Sequence, residues 1–378
     1  MTPSLFIFFL FLLVYIITSA GKTPYDYFLR LSQAFLEGKY YIDENPPWLS
    51  ELIPSGDGKF YIVHPPMPAI LLIPFLMIFK NFQQQYIAHI IGALIPVVVF
   101  NLSLKIKKNI KLAIWSSLLS GFGTIIWFLS SVGSSWYLGQ ITACLFLLLA
   151  IYKLITSDDP IKIGVFLGAA YLSRVNIIIC IPFFIFLLKK KGVKEFAKLI
   201  LGFMPFFIFN SIYNYIRFGT IFDVGYSKIP GIFEEPWYQK GLVNISYIPD
   251  HLKILLLGMP KIISHFPYII PSWAGMAIWL TTPAFVFSLF APIKEMVVKW
   301  SWISIFLIST IILSHGGTGF TQFGYRYAVD FYPFLFLLTI RGVAKTKLKK
   351  IHWILLFISI IVNLWGVLWI NKFQWVSY

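Results

Sequence analysis

The sequence alternates long apolar runs with short polar segments. A bilayer core about 30 Å thick needs roughly 20 apolar residues in a helix, and eleven runs approach that length. We predict that these runs cross a membrane, with the following bounds: 4–20, 86–104, 112–131, 140–155, 162–173, 174–188, 196–215, 272–291, 300–314, 328–340 and 351–371. One further run, 69–79, contains Pro74 and reaches only about 16 Å as a helix. It predicts a half-inserted or interfacial helix.

The composition agrees with a membrane protein. Of the 378 residues, 58% are hydrophobic and only 12% are charged, whereas soluble domains have about 25% charged residues. Because so few charged side chains cannot cover soluble domains, the soluble, fibrous and disordered classes are excluded. The predicted fold class is an all-α polytopic membrane protein in which residues 1–378 form a single domain.

The net charge of +16 has a location in this topology. If the first run crosses outward and 69–79 does not cross, the short inner loops hold 18 of the 31 Lys and Arg residues and only four acids. The inner lysines cluster at 105–111, 189–198 and 345–350. This clustering follows the positive-inside rule, so the charge is an insertion signal and not a nucleic-acid surface. We expect the N-terminus inside and the C-terminus outside, in the plasma (cytoplasmic) membrane.

The longer polar segments then fall on the outer side, at 21–85, 216–271 and 315–327. The inner loops are short and carry no glycine-rich phosphate-binding motif, which excludes a cytoplasmic nucleotide-binding domain. We therefore expect the chemistry at the extracytoplasmic face, with an activated substrate that arrives through the membrane.

The first outer segment predicts a short amphipathic helix. The sequence TPYD at 23–26 places Thr23 as the N-cap and Asp26 at the third helical position. Gly38 can end the helix. The apolar positions with helical spacing are Phe28, Leu31 and Phe35. Such a helix would lie in the outer membrane interface.

Four segments carry a family pattern: YDYFLRLSQAFLEG at 25–38, YIVHPPMP at 61–68, YLSR at 171–174 and FGYRYAVDFYP at 323–333. Together with the predicted spans, they resemble the GT-C superfamily of integral-membrane glycosyltransferases, which includes protein O-mannosyltransferases and aminoarabinose transferases. The resemblance implies interfacial helices in the first outer loop, a carboxylate base in that loop and basic residues that bind the donor phosphate.

The implied reaction moves a sugar from a polyprenyl-phosphate donor to an acceptor hydroxyl, on a lipid, a glycan or a protein, by a single inverting displacement. Because the polyprenyl phosphate is a good leaving group, the site needs no general acid and no pair of carboxylates as in a glycosidase. It needs a base for the acceptor hydroxyl and fixed positive charge for the phosphate. The base candidates are Asp26, which equally fits a helix cap, and the acidic pair Asp43 and Glu44. This pair could also join Asp26 in a site for a divalent metal, Mg²⁺ or Mn²⁺; no other cofactor is expected.

Arg174, Arg326 and Tyr327 are the candidates for binding the donor phosphate. Both arginines lie at predicted outer ends of spans, where a charge is expensive and usually functional, and guanidinium matches phosphate bidentately. The alternative is that they are snorkelling anchors. Asp330 is expected to be the partner of Arg326. Weaker substrate contacts are expected from His64, Glu234, Glu235 and Trp237.

Two other function classes remain open from the sequence. A transporter or lipid flippase would have internal repeats and ionisable residues near the midplane, whereas the candidate charges here sit at span ends on one side. A non-catalytic membrane scaffold would not need Arg174 and Arg326 on the same side as the acidic loop. Gly164 and Gly168, four residues apart, predict close helix packing.

Overall fold

The computed structural model describes residues 2–156, 159–188, 192–319 and 321–375. The predicted inner lysines Lys189, Lys190 and Lys191 lie outside the described residues. The first half of the chain contains α1 (Pro3–Ile17), α2 (Tyr27–Leu36), β1 (Leu52–Pro54), β2 (Phe60–Ile62), α3 (Met67–Ile78), α4 (Gln84–Ile106), α5 (Ile110–Phe122), α6 (Ile126–Val132), α7 (Ser135–Thr156) and α8 (Pro160–Tyr171).

The second half begins with a 3-10 helix at Val175–Cys180. The elements that follow are α9 (Ile181–Leu188), α10 (Val193–Phe218), α11 (Ile248–Leu257), β3 (Lys261–Ile262), β4 (Ile269–Ile270), α12 (Ile278–Thr281), α13 (Met296–Leu313), α14 (Tyr332–Thr346) and α15 (Lys350–Leu368). The strands form only two small antiparallel hairpins, β1 with β2 and β3 with β4. The architecture of the described residues is therefore predominantly helical.

Six helical segments are long and apolar enough to cross a membrane, and a seventh arises if α5 and α6, bent by 50° at a short break, form one span. The six are α4, α7, α10, α13, Arg326–Thr346 and Lys350–Phe373. Three shorter apolar helices, Pro3–Ile17, Pro160–Tyr171 and Val175–Leu188, occupy other predicted spans, and a fourth, Met67–Ile78, occupies the run that was predicted not to cross. The predicted number of eleven crossings is thus not confirmed.

The distribution of apolar surface fits a membrane environment. Helices α4, α7 and α14 are largely buried and form the interior of the bundle, whereas α1, α10, α13 and α15 expose many large apolar side chains. Exposed apolar faces on long apolar helices suit lipid. The chain is a multi-pass membrane protein.

The predicted span at 272–291 is wrong as a continuous helix. The structure has only a short turn of helix, Ile278–Thr281, followed by a 3-10 segment, Pro283–Phe290. Proline restricts the residue before it to extended conformations, and Thr282 has φ −141° and ψ 71°. Pro283 therefore interrupts the helix in the middle of the apolar run.

The helix predicted in the first polar segment is present, but it begins later than the sequence indicated. Its N-cap is Asp26, and Asp26 makes no side-chain capping bond. The Thr23 hydroxyl instead accepts a hydrogen bond from the amide of Tyr25 at 3.2 Å, which forms a local turn before the helix. The prediction that Thr23 caps the helix is wrong, and the acidic side chain is left available for other contacts.

Close packing of α8 against α10 supports the bundle beside this loop. A Cβ on Gly164 would collide with the carbonyl oxygen of Leu199, and a Cβ on Gly202 would collide with that of Ile161. Gly168 faces the ring of Phe206 in the same way. The predicted packing role of the glycines in α8 is therefore confirmed.

Candidate active site

Asp26 and Glu44 share one cation in the polar segment between α1 and α3. Arg30, one turn along α2, contacts Asp26 Oδ1 through Nε at 2.7 Å and Glu44 Oε1 through Nη1 at 2.6 Å. Asp26 is buried, whereas Glu44 is exposed. The helix holds the first pair, because residues four apart lie on one face.

Asp43 points away from this pair. Its carboxylate lies 2.8 Å from Lys39 Nζ and is largely exposed. Among the described residues, no group of three or more His, Cys, Asp and Glu side chains could hold a metal ion. Because Arg30 already supplies the positive charge between Asp26 and Glu44, this arrangement does not fit a divalent-metal site.

A different carboxylate, Glu51, occupies a pocket lined by aromatic rings. Trp136 Nε1–H donates a hydrogen bond to Glu51 Oε2 at 2.9 Å, and the Tyr226 hydroxyl donates to the same oxygen at 3.2 Å. His64 Nε2 lies 3.2 Å from that oxygen. The amide of Glu51 donates to the Tyr27 hydroxyl at 3.0 Å. Three segments of the chain thus contact the carboxylate, and a fourth holds the backbone of the same residue.

The first hairpin brings Glu51 and His64 together. In the register of β1 and β2, Leu52 pairs with Ile62, so the chain positions just outside this pair meet at one end of the hairpin. The side chains of Leu49, Leu52 and Ile62 are buried and anchor that end against the helices. A carboxylate and an imidazole are therefore held at the same place by strand pairing.

The surroundings keep Glu51 ionised. Burial alone would raise the pKa of this carboxyl group, but the imidazole of His64 at 3.2 Å and the hydrogen bonds from Trp136 and Tyr226 outweigh burial and lower the pKa below its usual value. Glu51 is therefore a carboxylate at neutral pH. It can accept a proton from a hydroxyl held next to it.

The first of the two predicted phosphate-binding arginines has a buried counter-charge. Arg174 Nη2 lies 2.8 Å from Asp330 Oδ2, and Asn176 Nδ2–H donates to the same oxygen at 2.7 Å. Asp330 is completely buried, whereas the Arg174 side chain is 25% exposed. The expectation that Asp330 pairs with Arg326 is wrong, because the short 3-10 turn at Arg326–Phe331 directs Asp330 toward Arg174.

The second arginine, Arg326, is buried and has no carboxylate within ion-pair distance among the residues that the structure describes. Its Nε has no hydrogen-bond partner, and its Nη2 is 3.4 Å from the Tyr327 hydroxyl. The guanidinium lies over the Tyr327 ring at 4.6 Å, and that of Arg174 lies 5.9 Å from the same ring. A buried charge without a counter-ion is costly, so this cluster is suited to an anionic ligand.

Tyr226 connects the carboxylate pocket with the arginine cluster. Burial raises its pKa most, the negative charges of Glu51 and of neighbouring tyrosines add to this effect, and the positive charge of Arg326 opposes it. His315, beside Tyr327 at 5.6 Å, has a pKa lowered to about 4 by burial and by both arginines. The charges of Glu51 and Arg326 therefore both act on Tyr226, and Arg326 also acts together with Arg174 on His315.

The weaker candidates divide into two groups. His64 belongs to the carboxylate pocket. Glu234, Glu235 and Trp237 lie on an exposed stretch of the second outer loop. Tyr238, which follows them, is buried with its ring 5.6 Å from His315. The loop thus reaches the arginine cluster through Tyr238, while the two glutamates face away from the protein interior.

Sequence reasoning missed Glu51 as a site residue. The sequence feature that could have indicated Glu51 is its position as a single acid in the run WLSELI at 48–53. A charge within such a run is buried only when it has partners. Its partners Trp136 and Tyr226 are 85 and 175 residues away along the chain. Their contribution was therefore not visible from local pattern.

Comparisons with known proteins agree with this architecture. No protein-family model matches the sequence, and no curated protein matches it. The crystal structure of ArnT from Cupriavidus metallidurans bound to undecaprenyl phosphate aligns over 97% of this chain, with a TM-score of 0.56 and 13% identity. The oligosaccharyltransferase of Archaeoglobus fulgidus in its apo form aligns over 98% of this chain, with a TM-score of 0.52 and 11% identity.

The alignments extend along nearly the whole of this chain but cover only 64% and 56% of the two solved proteins. Both of those proteins are glycosyltransferases of the GT-C type. Identities this low carry the fold and not the activity. This chain therefore shares the fold of these two solved proteins, as the resemblance noted from the sequence implied.

Proposed function

We propose that the protein is a membrane glycosyltransferase that moves a sugar from a polyprenyl-phosphate donor to an acceptor hydroxyl. The observation that carries this proposal is Arg326, a buried guanidinium without a carboxylate partner that faces the same tyrosine ring as Arg174. Two guanidiniums against the single carboxylate of Asp330 leave one positive charge for a phosphate. The solved ArnT with undecaprenyl phosphate supports the choice of a polyprenyl donor.

In the proposed reaction, the acceptor oxygen attacks the anomeric carbon of the donor sugar. The hydroxyl proton passes to a carboxylate, and the bond between the anomeric carbon and the phosphate oxygen breaks with its electron pair going to the phosphate. Arg174, Arg326 and Tyr327 stabilise the charge that develops on the phosphate. The displacement is single, so the configuration at the anomeric carbon inverts.

Glu51 is the first candidate for the base. It is ionised, it shares Tyr226 with the neighbourhood of Arg326, and none of the described side chains that contact its carboxylate is a permanent cation. Asp26 is the alternative that the sequence favours, although its carboxylate is already engaged in an ion pair with Arg30 at 2.7 Å. Asp43 and Glu44, both exposed and paired with cations, come after these two.

The function is tested with purified full-length protein in lipid nanodiscs and a panel of radiolabelled sugars linked to polyprenyl phosphate. We expect one donor of the panel to release polyprenyl phosphate and to yield a glycosylated acceptor, whereas the same sugar linked to a nucleotide gives no product. Movement of an intact lipid-linked sugar across the bilayer without release of polyprenyl phosphate would instead identify a flippase. Absence of release from every donor would reject the proposed activity.

We also propose that the site faces the extracytoplasmic side, since the basic loops lie at the opposite ends of the helices. Cysteines introduced at Ser55 and Lys345, both exposed, should react with a membrane-impermeant maleimide from opposite sides: Ser55→Cys in intact cells, and Lys345→Cys only after permeabilisation. The parent chain is the control, because Cys144 and Cys180 are buried. Labelling of both positions in intact cells would contradict this orientation.

A further inference from the structure

A second site lies at the other ends of the helices, away from the arginine cluster. A cavity of about 600 Å³ opens where α4 leads into α5 and α14 leads into α15. Five lysines line it, and none of the described residues that line it is acidic: Lys107, Lys111, Lys347, Lys349 and Lys350. Mutual repulsion among these charges is unfavourable, so the cavity is suited to an anion.

The backbone around the cavity adds to this preference. The first turns of α5 and α15 contribute Lys111 and Lys350 to the lining, and helix N-termini carry partial positive charge. One helix C-terminus that also reaches the cavity, that of α14, has its Ala344 carbonyl bonded by Lys107 Nζ at 2.8 Å. The carbonyl end of α14 is thereby partly neutralised. The starts of α5 and α15 are capped by Asn109 and His352, so the lysine side chains supply most of the positive charge.

The walls of the cavity combine this charge with apolar surface. Trp353 and Leu112 stand among the lining residues, and the neighbouring side chains Ile110 and Ile351 are about half exposed. These helices begin and end here, so the cavity lies at the boundary between membrane and water. A ligand with a phosphate and an acyl chain would meet both surfaces, whereas a free phosphate would use only the lysines.

We infer that this cavity binds the phosphate of an anionic lipid headgroup from the surrounding leaflet. Basic pockets between membrane helices have this use in general. The lysines neutralise the phosphate, and Trp353 lies against the upper part of the acyl chains. Bound lipid would clamp the two helix pairs α4–α5 and α14–α15 at one end of the bundle.

The test uses purified full-length protein in a non-ionic detergent and titrates three probes: dioctanoyl phosphatidylglycerol, dioctanoyl phosphatidylcholine and inorganic pyrophosphate. We expect phosphatidylglycerol to bind at least about tenfold more tightly than either other probe. The triple variant Lys111→Gln, Lys347→Gln and Lys350→Gln should weaken that binding by about tenfold or more. Equal affinity for the two lipids, or tighter binding of pyrophosphate, would overturn the inference.

Two control proteins separate the cavity from general charge and from misfolding. The matched variant Lys194→Gln, Lys294→Gln and Lys299→Gln removes three exposed lysines that do not line the cavity and should bind within about twofold of the parent. Arginine at positions 111, 347 and 350 keeps the charge and should keep the affinity. An equal loss in the matched variant, or a complete loss in the arginine variant, would reject a site built from these lysines.

Discussion

The substitution Glu51→Gln is expected to lower the rate of sugar transfer by about a hundredfold or more, the range that a general base contributes. Glutamine has the shape of glutamate and keeps an oxygen for Trp136 and Tyr226, but it does not take a proton from the acceptor. The measurement is the single-turnover rate at saturating donor, with the melting temperature as a check on folding. Donor affinity should change little, since Glu51 acts on the acceptor.

Two matched variants make this result specific. Asp57→Asn removes an exposed carboxylate from the same loop and should leave the rate unchanged. Asp26→Asn tests the alternative base. If Asp26→Asn abolishes transfer while Glu51→Gln retains it, the base is Asp26, and Glu51 holds the hairpin in place.

The pH profile provides a second readout of Glu51. Because His64, Trp136 and Tyr226 hold its pKa below the usual value despite burial, the carboxylate should stay ionised, and the acid limb of the rate should lie at a lower pH than an unperturbed glutamate would give. The stability of the folded protein should depend on pH in the same direction as the rate. A lowered pKa stabilises the fold above the pKa of the unfolded chain, and this contribution is lost as the pH falls through the folded value. In the Glu51→Gln protein this loss should be absent.

The positions of the helices were largely predictable because the length of an apolar run can be read directly from the sequence. The apolar run at 69–79 predicted a short helix and the structure has Met67–Ile78; the run at 196–215 corresponds to Val193–Phe218. A hydropathy pattern does not show where a proline interrupts the backbone inside an apolar run. The break at Pro283 within a predicted span was therefore missed. The predicted start of α2 was wrong for a similar reason, since the Thr23 hydroxyl forms a local turn and does not cap the helix.

The candidate site was only partly predictable, for a reason of distance along the chain. Arg174 and Arg326 could be singled out because each interrupts an apolar segment, a local signal. The partner of Arg174 could not, because Asp330 meets it across 156 residues. Glu51 is a similar case. Its buried charge is tolerated only because side chains beside the first hairpin, in α7 and in the segment after α10 contact it. Local pattern therefore finds buried charges more readily than it finds what neutralises them.

The substitution Arg326→Met should have opposite effects on binding and on stability. Methionine fills the space over the Tyr327 ring without a charge, so the affinity for polyprenyl phosphate, measured by competition with labelled donor, should fall by about tenfold or more. The melting temperature should stay the same or rise, because the parent protein pays for a buried guanidinium without a carboxylate.

The comparison with Asp330→Asn decides whether that reasoning holds. Asp330 is completely buried and neutralises Arg174, so its loss leaves a charge without a partner and should destabilise the protein by about 3 kcal/mol. Two substitutions four residues apart are thus expected to shift the melting temperature in different directions. If Arg326→Met lowers the melting temperature as Asp330→Asn does and leaves donor affinity intact, then Arg326 is a structural anchor, and the phosphate must be bound elsewhere.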